Sequence, residues 1–128
     1  MRFRVGLKQI LAASLSLAFI IGLIGNAVVA QDGAQPKHDL KEVMKVAHKD
    51  GLLKKIIAGQ ASQEEKQTLL DLYISMVEAK PKKGEMTSWH HLAGGAALAA
   101  AKVVVGREGA VAELEKASNC KACHDVHK

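Results

Sequence analysis

The segment Cys120-Lys121-Ala122-Cys123-His124 holds the only two cysteines of the 128-residue chain. On a helix, positions i, i+3 and i+4 share one face, so this spacing presents two thiols and an imidazole on the same side. That is the pattern by which c-type haem is attached covalently: the cysteines bond the haem vinyl groups, and the histidine turns a ring nitrogen to the iron. One short segment fixes the cofactor, haem c, and supplies an axial ligand.

Two other chemistries use a Cys-x-x-Cys pair. A zinc site would have Cys120, Cys123 and His124 and would need a fourth ligand, for which His127 is the neighbouring candidate, without the usual second knuckle. A dithiol redox switch is expected after a strand, inside a β-α-β pattern. The sequence offers neither context.

Charge excludes one broad class of partner. The formal charge is +5, with Arg2, Arg4 and Lys8 ahead of the first acidic residue, Asp32. Without those three, 15 basic residues stand against 13 acidic ones, a nearly balanced domain with nothing that points to nucleic acid.

Residues 1–30 read as a secretory signal. Basic residues come first, a fifteen-residue apolar run follows from Ile10 to Ile24, and Val28-Val29-Ala30 ends on a small residue suited to cleavage. An uncleaved anchor is the competing reading, but the run falls short of the roughly 20 residues needed to span a bilayer. Cleavage after Ala30 predicts an exported, periplasmic domain, residues 31–128, with no stable membrane insertion. Export also suits c-type haem, which is attached outside the cytoplasm.

The remaining chain contains four segments of helical character and no strand pattern. Gln31 to Lys37 reads as a flexible lead-in. Leu40, Val43, Met44 and Ala47 recur at helical spacing and define a first helix from His38. Leu52, Leu53, Ile56 and Ile57 fall about half a turn away from that stripe, so the helix either bends or restarts at Gly51, or its second half is buried on another side. Ser62 with Glu65 forms a capping-box pattern for a second helix, with Leu69, Leu72, Tyr73, Met76 and Val77 buried and an end before Pro81. A third helix is expected from Thr87 or Ser88 to about Val105, its middle crowded with alanine and glycine from Ala93 to Ala101. A fourth runs from about Ala110 through Leu114 and Ala117 into the haem motif. Four amphipathic segments with short connections predict an all-α, antiparallel four-helix bundle, which builds cofactor sites between facing helices.

With Cys-x-x-Cys-His at its C-terminal end and the Met44-Lys45 pair in its first helix, the chain resembles the class II c-type cytochromes, the cytochrome c-prime group with its low-spin relatives. The resemblance covers roughly Leu40 to Lys128. It implies that Cys120 and Cys123 hold haem covalently, that His124 is the proximal ligand and that Met44 is the distal one. Lys128 stands where the family often places a basic residue. The chain departs from the family at His127, where an aromatic residue is usual, in its short last helix and in the short connection between the second and third helices. A homodimer, as in some relatives, is one possible assembly.

A methionine on a buried stripe is commonly plain packing, and Met76 and Met86 are alternatives; only family position singles out Met44. His48 lies one turn from Met44 and is a second candidate for the distal side. Trp89 is read as anchoring the start of the third helix, with His90 and His91 solvated, while His38 carries no signal. Ligation by Met44 fills both axial positions and makes the protein a carrier of single electrons between redox partner proteins. If Met44 only lines a closed pocket, five-coordinate iron would take NO or CO. Haem enzymes need acid–base groups over the iron, for which only His48 is on offer, so the chain is read as no enzyme.

Overall fold

The computed structural model describes residues 35–128, and the expected leader, residues 1–30, lies outside them. Among the described residues the secondary structure is entirely helical. Helix α1 (Leu40–Val43) begins at Asp39, whose carboxylate accepts the Glu42 backbone N–H at 2.8 Å. It passes directly into a π-helical stretch, Met44–Lys49, where the turn is wider by one residue. Helix α2 spans Leu52–Ile57, α3 Gln63–Glu78, α4 Met86–Val104, α5 Ala110–Ala117 and α6 Cys120–His127.

The half-turn phase change after Asp50 is a restart. Gly51 has φ +85°, a left-handed conformation that ends one helix and precedes the next. From the new phase Ile56 is fully buried, and Leu52 and Leu53 flank the core.

Helix α3 starts as its sequence requires. Ser62 Oγ accepts the Glu65 N–H, and the Glu65 carboxylate accepts the Ser62 N–H at 2.9 Å. Its apolar stripe then buries Leu69, Leu72, Tyr73 and Met76. Fully burying a side chain such as Leu69 or Leu72 is worth roughly 1.5–3 kcal/mol, so this face is a major source of stability. Helix α4 packs along it with small residues, Ala93, Ala96, Ala99 and Ala100, and the short side chains let the two helices approach closely. Trp89 is buried at the start of α4 and donates its indole N–H to the Met76 carbonyl at 3.0 Å, which anchors the helix as expected.

The remaining elements close around this pair. Helix α1 rests on α3, α2 touches α3 and α5, α5 packs on α4, and α6 touches α4. Val43, Ala47 and Leu114 complete the shared core.

Two expectations need correction. The fourth helix does not run unbroken into the cysteine motif: it stops at Ala117, and Asn119 caps a new helix by accepting the N–H groups of Lys121 and Ala122. An asparagine side chain that competes for backbone donors ends one helix and begins the next. The lead-in is also tied down at its end. Lys37 pairs with Asp71, and the His38 ring bridges Asp71 and Glu42 at 3.1 Å each, so its pKa is raised first by the hydrogen bond to Asp71. His38 thus clamps the start of α1 to α3, a role without a sequence signal.

Candidate functional site

Helix α6 places Cys120, Cys123 and His124 on a common wall. With Met44 and His48 they line two cavities, of about 250 Å³ and 720 Å³. Small-molecule sites usually enclose about 300–1,000 Å³, so the pair of cavities is of cofactor size. Cys120 and His124 are exposed, whereas Cys123, Met44 and His48 are half-buried.

The smaller cavity is closed by Leu92, Ala93 and Ala96 of α4 and by Met76 and Tyr73 of α3. Gly95 also borders it, and a Cβ built there would meet no atom within 4 Å, so the helix is open on this side. Of the small residues crowding this helix, Ala99 and Ala100 are buried in the core, while Ala93, Gly95 and Ala96 line the cavity. His91 borders the same cavity from an exposed position, and His90 is exposed.

Met44 and His48 both lie in the π-helical stretch. π-turns are rare and recur at functional sites. The His48 ring stacks on Tyr73, and its pKa is lowered first by burial and then by the charge of His124. It therefore favours the neutral form, the form that can act as a metal ligand. Tyr73 is fully buried, its phenol is pushed up to about 12 by burial, and it donates to Ser118 Oγ at 3.2 Å. Met44 leans on the core from the cavity wall.

His127 lies apart from this constellation although it is on the same helix. Its Nδ1 donates to the Lys83 carbonyl, which can only accept, at 2.9 Å, and its Nε2 lies 3.1 Å from the Ser88 hydroxyl. The ring meets Trp89 edge to face, with centroids 5.3 Å apart. It thereby holds the end of α6 against the α3–α4 connection.

This geometry weighs on the other two chemistries. With both ring nitrogens of His127 engaged, the fourth zinc ligand is committed elsewhere. Burial, and then the neighbouring Cys120, push the Cys123 thiol up. The donor set of two thiols, one exposed imidazole and a thioether and second imidazole on the same cavities fits a covalently held haem. Among the described residues no helix is long and apolar enough to cross a membrane. Comparison with protein-family models, with curated proteins and with solved structures yields no match to this chain.

Proposed function

We propose that this chain is an exported c-type haem protein that carries single electrons, with the helices arranged as the antiparallel four-helix bundle of class II cytochromes. The observation that carries the reading is the placement of Cys120, Cys123 and His124 on one face of α6, on cavities they share with Met44 and His48. Cys120 and Cys123 would hold the haem as thioethers, and His124 and Met44 would ligate its iron. When bound, the haem supplies one reversible oxidation-state change. The protein does the rest. Apolar side chains of α3 and α4 line the smaller cavity, α6 carries Cys120, Cys123 and His124 together, and the π-helical stretch carries Met44 and His48. A histidine–methionine pair raises the potential and leaves no open position for chemistry on a substrate, so no enzymatic activity is assigned.

The small-residue wall formed by Ala93, Gly95 and Ala96 favours a second reading, in which space beside Met44 admits a diatomic gas such as NO or CO. The visible spectrum of the exported protein, oxidised and reduced, with and without carbon monoxide, separates the two. A low-spin spectrum indifferent to the gas supports the electron carrier. A high-spin spectrum that shifts with the gas replaces it with the gas binder.

A further inference from the structure

The rim of the larger cavity carries a charge pattern that haem attachment does not use. Lys41, Lys49, Lys82 and Lys128 line it. They come from α1, the end of the π-helical stretch, the α3–α4 connection and the residue after α6, and all four are exposed. Among the described residues none of them enters an ion pair, although Lys37, Lys45, Lys55, Lys102 and Lys121 do. No aspartate or glutamate lines this cavity.

The pattern is local. Basic and acidic residues nearly balance over residues 31–128, so four free cations around one opening are a concentration of charge and not a share of a general excess. Screening acts over about 8 Å at physiological ionic strength, so charges ringing a single cavity add their potentials where they meet. Four cations gathered at one cavity of a nearly balanced domain suit a compact acidic partner better than a nucleic-acid strand. They are all lysines, strongly hydrated point charges that steer an encounter without the bidentate grip of arginine.

We infer that this lysine rim docks the acidic face of an electron-transfer protein and guides it to the wall that bears Cys120 and His124. The inference rests on the haem reading and names the chemistry of the redox partner. Weak, short-lived electron-transfer contacts bury less than about 1,200 Å², an area that one ringed cavity mouth can organise.

The test compares two small oxidants of opposite charge on the reduced holoprotein: hexacyanoferrate(III) and tris(phenanthroline)cobalt(III). In each reaction one electron passes from the haem to the metal complex, which is reduced by one unit, and no proton moves. The rim predicts that oxidation by the anionic complex slows as salt is added, and slows by about tenfold or more in K41E/K49E/K82E/K128E, while the cationic complex reacts faster with that variant. The control K54E/R107E, outside the rim, should change neither rate by more than about twofold. Unchanged rates in the quadruple variant would overturn the inference. A shifted haem spectrum or loss of haem in it would also overturn it, because the lysines would then be holding the haem itself. Titration of the isotope-labelled chain with a decaglutamate peptide reads the same surface without relying on electron transfer. Amide shifts confined to the four lysines and their neighbours are expected, and shifts spread equally to Lys54, Lys66 and Arg107 would contradict it. A chain without haem sinks the proposed function, and the peptide titration still decides the rim.

Discussion

The His48 ring lies stacked on Tyr73, centroids 6.0 Å apart and planes 23° from parallel, and Tyr73 in turn holds Ser118 through its hydroxyl. One line of contacts thus runs from the π-helical stretch, through the middle of α3, to the turn just before Cys120. Tyr73→Phe removes the link to Ser118 and should cost about 1 kcal/mol in a denaturant titration. The phenol is also a pH sensor of stability. Its ordinary value is 10.0 and the fold raises it to about 12, so the unfolded chain loses this proton first. Stability should therefore fall as pH rises from about 10 to 12, and Tyr73→Phe should lack this loss.

Gly84 is held open by His127. It has φ +79°, and a Cβ there would lie 2.5 Å from His127 Nδ1. Gly84→Ala meets both a strained backbone and the buried ring, and should destabilise by at least about 1 kcal/mol in thermal or denaturant unfolding. An alanine tolerated without loss would mean that His127 does not occupy this place.

Asn119 starts the helix that bears the cysteines. Asn119→Ala removes an acceptor shared by two N–H groups and should cost about 1 kcal/mol. Asn119→Asp, which keeps the acceptor, should recover most of that, as read by the same unfolding curves.

The two distal candidates separate by substitution. Met44→Ala should turn a low-spin spectrum high-spin or open it to carbon monoxide, while His48→Ala leaves it low-spin. The opposite result would assign the distal position to His48.

Much of this was legible in the sequence because it is local. The Ser62–Glu65 box, the stripe of α3 and the spacing of Cys120, Cys123 and His124 depend on neighbours within a turn or two. The break at Gly51 was visible as a phase shift but ambiguous until the positive φ was known. What escaped depends on distant partners. His38 meets Asp71 across the helix pair, and His127 meets Lys83 and Ser88 more than 30 residues away in sequence. The π-helical stretch has no residue signature of its own, and the Asn119 cap was hidden because the helical pattern continues on both sides of it.

The central claim is tested most directly by the intact mass of the purified, exported and denatured chain, recorded beside that of C120A/C123A. The account predicts a chain from residue 31 onward heavier by one haem, with the addition absent from the double variant. An unmodified, colourless chain with two free thiols would contradict it.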